Sequence, residues 1–215
     1  MYKYLIISIF LLVSNTSFAN SPEHIETDSL SENAVAIIEN IESAFIQSDV
    51  NNAIYKETKT ITILNKKGDG YANFYITGDK FRELKDFSGN IKNASGVIIK
   101  KIGKKDLIIS SISQQMATDM YSIIYVCKVP TYPCTIEYSY QEKWKNGIIA
   151  YPSFSPIEGY MQSVKKASYT IEVPANMNLR CNINFDCNFK DEVIDNKRIY
   201  SFSAENLKAI NTEPL

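Results

Sequence analysis

Between residues 119 and 143 the sequence reads DMYSIIYVCKVPTYPCTIEYSYQEK, and no other stretch restricts the fold as strongly. In its second part Cys134, Ile136, Tyr138 and Tyr140 share one register, and Thr135, Glu137, Ser139 and Gln141 share the other. Successive strand side chains point to opposite faces, so this pattern is a strand with one face in a core. The first part, residues 120–128, is apolar in both registers, with Tyr121, Ile123 and Tyr125 against Met120, Ile124 and Val126. A strand of that kind is covered on both sides and is therefore central. Pro130 and Pro133 interrupt the ladder between the two parts. The expectation is a hairpin over residues 119–143, set inside a β-sheet.

The start of the chain reads as an address rather than as structure. Lys3 supplies a positive charge, residues 4–13 are apolar apart from Ser8, and Ser17 and Ala19 occupy the small-residue positions of a cleavage site. The apolar run falls short of the roughly 20 residues that cross a bilayer. Cleavage after Ala19 would leave 196 of the 215 residues, an exported chain with no membrane span. Residues 20–33, with Glu23, Glu26, Asp28 and Glu32 among Ser and Thr, read as a flexible acidic tail. Net charge is −1, and −2 once Lys3 is removed, which gives no basis for binding nucleic acid.

The rest, residues 34–215, reads as one β-rich domain. Residues 34–45 are ambiguous: Val35, Ile38, Ile41, Glu42 and Phe45 follow helical spacing, whereas residues 34–38 also fit a buried strand. Residues 58–64 (TKTITIL) form a strand with Thr58, Thr60 and Thr62 outward and Ile61 and Ile63 inward. Gly68 and Gly70 mark a turn, and residues 71–76 return. Residues 81–92 alternate less cleanly, as a twisted or bulged strand does, and residues 97–102 follow a turn at Gly96. Residues 107–116 read as a short helix or loop. Asn146-Gly147 is a strong turn signal. Residues 164–173, 178–189 and 197–202 complete the strands, with a tight turn expected near Asn184. About eight to eleven strands joined by turns define an all-β, antiparallel sandwich-like domain with little helix.

Four cysteines remain after processing: Cys127, Cys134, Cys181 and Cys187. An even count in an exported chain points to disulfides, with local pairs 127–134 and 181–187 expected and buried thiols as the alternative. Their spacing matches no zinc template. A thiol nucleophile would need a base, yet the only histidine, His24, lies in the acidic tail. Glu137 and Glu142, and Asp191 with Glu192, read as solvated strand or turn residues. Lys92, Lys100, Lys101, Lys104 and Lys105 read as protection of a sheet edge. The best candidates for ligand contact are Tyr138, Tyr140, Trp144, Tyr151 and Phe154, aromatic residues gathered around the Asn-Gly turn and a proline-rich loop. Aromatic faces with polar tips suit glycans and peptides, although most such residues are core.

Four stretches in order, TITILNKKGDGYANF, FRELKDFSGNIKNASGVIIKKIGKKDL, YPCTIEYSYQ and NLKAINTEPL, resemble the extracytoplasmic domain that precedes transglutaminase-like domains in many Bacteroidota proteins. The resemblance covers residues 34–215. It implies a sandwich in which residues 34–46 are strand. It also implies a catalytic domain after NTEPL, where this sequence ends at Leu215, so no catalytic residue carries over. The functional expectation is a noncatalytic module without cofactor, binding or scaffolding a protein, peptide or glycan in the periplasm or at the cell surface. The alternative is the accessory half of a split transglutaminase-like or cysteine-protease-like enzyme with a separate catalytic chain.

Overall fold

The structure, a computed structural model, describes residues 29–111, 119–148 and 150–212. The expected secretion signal, His24 and most of the expected acidic tail lie outside these residues, as do 112–116 of the expected helix or loop. Residues 29–33 form a turn in which Leu30 is buried, so packing already begins inside the stretch read as tail.

Eleven strands are present among the described residues: β1 (Ala36–Asp49), β2 (Asn52–Ile63), β3 (Phe74–Gly78), β4 (Arg82–Lys92), β5 (Ile98–Gly103), β6 (Ile108–Ser111), β7 (Tyr121–Tyr125), β8 (Cys134–Trp144), β9 (Gln162–Pro174), β10 (Asn188–Ile194) and β11 (Lys197–Leu207). Eight form one long sheet in the order β10-β11-β9-β1-β2-β8-β4-β5, and three form a small sheet in the order β3-β7-β6. Every pairing is antiparallel except β1 with β9. The chain is an all-β sandwich-like domain, as its alternation predicts.

The small sheet packs on one half of the long sheet. Phe74, Ile123 and Tyr125 meet Ile61, Ile63, Ile136 and Tyr138 in the first part of the core. Burying each such side chain contributes about 1.5–3 kcal/mol. The other half of the same face carries Phe45, Tyr55, Tyr169, Ile171, Tyr200 and Phe202, covered by residues from the β8–β9 and β9–β10 connections. The opposite face of the long sheet bears hydroxyls in register, Thr58 with Ser139 at 3.0 Å and Thr62 with Thr135 at 3.1 Å.

Residues 119–143 do not make a hairpin. β7 pairs with β3 and β6, while β8 pairs with β2 and β4, so the two halves lie in different sheets facing one another. The proline-containing connection crosses between layers instead of turning within one. β7 is central, as its two-sided apolar character requires, but in the small sheet.

Residues 34–45 are strand. The helical spacing has a physical cause: the register shifts between Ile38 and Asn40, and the extra residue moves the core face from Ala36 and Ile38 to Ile41 and Phe45. β4 repeats this device between Leu84 and Asp86, which puts Leu84 and Phe87 on one face. Residues 108–111 of the expected helix or loop are the edge strand β6. Residues 178–187 alternate in sequence yet find no ladder, and the strand starts only at Asn188. Three of the five lysines, Lys92, Lys100 and Lys104, make contacts within the chain. Lys92 pairs with Glu137 at 2.8 Å, and the Lys104 ammonium donates to the Leu84 and Lys85 carbonyls. Lys100 lies over the Tyr125 ring.

Candidate functional site

β8 runs out from under the small sheet. Its core-facing residues are Cys134, Ile136, Tyr138, Tyr140, Glu142 and Trp144, so the strand begins apolar and ends in a carboxyl group flanked by aromatic rings. Tyr138 is core: its hydroxyl donates to the Ala72 carbonyl at 2.7 Å, and its ring packs on Phe74 and Phe87. Tyr140 packs against both parts of the core and marks the seam between them.

That seam is polar. Across the β2–β8 ladder Tyr55 faces Glu142 and Glu57 faces Tyr140. The Tyr55 hydroxyl donates to Glu57 Oε2 at 2.5 Å, and the Ser43 hydroxyl donates to the same oxygen at 3.2 Å. Desolvation raises the Glu57 carboxyl despite these donors. Glu142 is only 6% exposed, and burial pushes its carboxyl up to about 7, opposed by a weak hydrogen bond and by the charge of Arg82. That bond comes from Trp144 Nε1, which donates to Glu142 Oε2 at 3.4 Å. Glu142 is therefore not the solvated residue its chemistry alone predicts.

Arg82 and Asp79 close the far side. The Arg82 guanidinium donates through two nitrogens to Asp79 Oδ2, at 2.9 and 3.1 Å, and lies 5.2 Å from the Trp144 ring centre. Asp79 Oδ1 accepts the backbone N–H groups of Phe81 and Arg82. Hydrogen bonds from Arg82 and from these backbone groups outweigh desolvation and hold the Asp79 carboxyl below its usual range. Phe45 is buried behind the site, with the Trp144 and Tyr151 rings each packed edge-on against it at 5.2 Å. Tyr151 is fixed by its hydroxyl, which donates to Oε1 of the buried Gln47.

Of these residues Tyr55, Asp79, Arg82, Tyr140, Glu142, Trp144 and Tyr151 line a cavity of about 590 Å³. Tyr151, Pro152 and Ser153 also line a second cavity of about 860 Å³, walled by residues 179–187 and by Phe154. Of the five aromatic residues expected at a site, Tyr140, Trp144 and Tyr151 converge on the first cavity. Phe154 belongs to the second, against Tyr169, Phe185 and Phe202. Tyr138 belongs to neither. Sequence reading missed Tyr55, Asp79, Arg82 and Glu142. For Glu142 a signal exists, since it continues the even-numbered core register of β8.

The four cysteines are thiols in this structure. Cys127 and Cys134 are both buried, and burial raises both thiols, with Cys134 adding to the shift of Cys127, which is pushed up to about 11. Cys134 donates to the Lys92 carbonyl. Cys181 is exposed, Cys187 half-buried, and both line the larger cavity. Among the described residues no group of three His, Cys, Asp or Glu side chains could hold a metal. No helix among them is long and apolar enough to cross a membrane.

Fold and site define an all-β sandwich domain whose long sheet is roofed partly by a small sheet and partly by loops over an aromatic cavity. The chain belongs to a family described as a domain of unknown function with a solved structure (DUF3857), whose profile matches residues 50–211. Among solved structures it is similar to a candidate protease from Parabacteroides distasonis, with a TM-score of 0.70 and 17% identity over 83% of this chain and 37% of that one. The chain thus spans little more than a third of that protein's length. An M1 zinc metallopeptidase from Deinococcus radiodurans has a TM-score of 0.33 and 8% identity over 79% of this chain and 39% of that one. A mutant of that peptidase with a bound Tyr-Ser-Ala substrate has a TM-score of 0.34 and 7% identity over the same shares. Likeness at that level carries no argument about the fold. No curated protein matches the sequence.

Proposed function

We propose that this chain is an exported, noncatalytic binding module that takes its ligand in the cavity between Tyr140, Trp144 and Tyr151. One observation carries the reading: aromatic faces, a buried carboxyl and a held guanidinium meet in one cavity, on rigid strands for all but Tyr151. Apolar walls with a few placed polar groups are the makeup of a ligand site. A thiol enzyme is disfavoured by the chemistry of its nucleophiles. Burial raises both Cys127 and Cys134, which keeps them protonated near neutral pH.

A second reading rests on the likeness to the candidate protease, of which this fold is about a third. In that reading the module presents substrate to a transglutaminase-like or protease-like catalytic unit encoded with it or beside it. Both readings use the same cavity.

The test is binding of the purified chain to peptide and glycan arrays, beside Trp144→Ala and Tyr151→Ala variants. Retention by a defined set of ligands, lost in both variants, is expected. Retention unchanged in both would place binding elsewhere and overturn the assignment of the cavity.

A further inference from the structure

Resting on the reading of this cavity as a binding site, we propose that it seats the side-chain ammonium of a lysine carried on an extended peptide, with Glu142 as counter-ion. The titratable groups facing Glu142 are Tyr55 and Glu57 from β2, Asp79 and Arg82 from the turn into β4 and its first residue, Tyr121 from β7, and Tyr140 from its own strand. Arg82 is the only cation in this group, and Asp79 already holds it at 2.9 Å. Among the described residues no cation forms an ion pair with Glu142, whose sole hydrogen bond is the 3.4 Å contact from Trp144. A carboxylate 94% buried without a counter-charge is costly. An entering ammonium supplies both the charge and the hydrogen-bond donors. An entering anion would meet Glu142 and Asp79, and a neutral sugar would leave Glu142 uncompensated.

The walls agree with the charge. Tyr140 and Trp144 present aromatic rings, whose faces attract cations by about 0.5–2 kcal/mol. Trp144 already shows this property toward Arg82. Ile76 and Phe81, also in the wall, suit the four-carbon stem of a lysine.

Edge geometry makes the ligand a peptide rather than a free amine. Tyr75, Ile76 and Thr77 of β3 border the cavity. β3 is an outer strand of the small sheet, paired on one side with β7 and, among the described residues, with no strand on its other side. An extended peptide added to such an edge projects alternate side chains, one of which can enter the cavity beside the exposed Tyr75. Binding also favours the ionised form of Glu142. The ammonium keeps its proton, while any proton on Glu142 leaves to solvent, so binding tightens as pH rises from about 6 to about 8.

Trp144 is the only tryptophan in the chain, so its emission reports on this cavity directly. The probes are an N-acetylated, C-amidated Gly-Lys-Gly peptide, the same peptide acetylated on its lysine, and n-butylamine. The unmodified peptide is expected to change Trp144 emission and to bind more tightly at pH 8 than at pH 6. Lysine acetylation should weaken binding by about tenfold or more. Glu142→Gln should remove both the pH dependence and the discrimination against the acetylated peptide, while Glu142→Asp should retain the discrimination. Equal binding of the two peptides, or Glu142→Gln behaving as wild type, would overturn the ammonium assignment and leave the binding module intact. n-Butylamine binding as tightly as the peptide would overturn the peptide part. Emission unmoved by these probes and by every array ligand would overturn both this inference and the reading it rests on.

Discussion

Glu142 stands directly opposite Tyr55 across the β2–β8 ladder, and the next pair on the same face, Glu57 with Tyr140, reverses the order. Carboxyls and phenols therefore alternate in a small checkerboard between the two halves of the core. Burial raises all four groups toward their neutral forms.

This arrangement makes stability depend on pH. The Glu142 carboxyl lies near 7 in the folded chain against an ordinary value of 4.5, so the folded state binds the extra proton between these limits. Stability from this group is present at low pH and is lost as pH rises through about 7. Glu142→Gln should raise stability at pH 8 by about 1–3 kcal/mol and change it little at pH 5. Part of the slope should remain, because Glu57 is raised in the same direction. Urea unfolding at the two pH values measures this. A variant destabilised at both would mean that the carboxylate is favourably paired.

Phe45 is fully buried and carries the Trp144 and Tyr151 rings. Phe45→Ala should cost about 3–5 kcal/mol and move Trp144 emission to longer wavelength. Denaturation followed by fluorescence checks both. A loss under 1 kcal/mol, on the order of a surface substitution, would contradict the packing described behind Trp144 and Tyr151.

Much of this fold is legible in the residues, and the exceptions have physical causes. Alternation identified the second half of β2, from Thr58, together with β8 and most of β9, because each has one face in the core and a more polar face opposite. Alternation fails at Ile38–Ile41 and Leu84–Phe87, where an added residue changes the phase. It also misleads at residues 178–187, since a side-chain pattern does not supply a hydrogen-bonding partner. The hairpin misreading has another origin: neighbouring strands in sequence can pair or face each other, and local pattern is the same in both cases. Three aromatic residues of the site lie close together in sequence, but Arg82, Asp79 and Tyr55 arrive from β2 and the β3–β4 turn, a juxtaposition only topology creates.

Thiol reactivity separates the two cysteine pairs. All four thiols are raised by desolvation, so access separates them: in reduced protein the exposed Cys181 and half-buried Cys187 should label at pH 8, whereas the buried Cys127 and Cys134 should label only after unfolding. Equal labelling of all four in the native state would contradict the burial of Cys127 and Cys134. We further propose that protein recovered from an oxidising compartment carries the local bridges 127–134 and 181–187. Peptide mapping without reduction tests this, and a 127–181 link would refute it.

The central claim is that Trp144 and Glu142 share one ligand cavity, and the Trp144 indole N–H resonance tests it most directly. This group donates to Glu142 Oε2, and the chain contains no other tryptophan. In the free protein its cross-peak should titrate with a midpoint near 7, following the Glu142 carboxyl, and it should move again when a ligand selected on the arrays is added at constant pH. A resonance that neither titrates across this range nor responds to any such ligand would contradict the account.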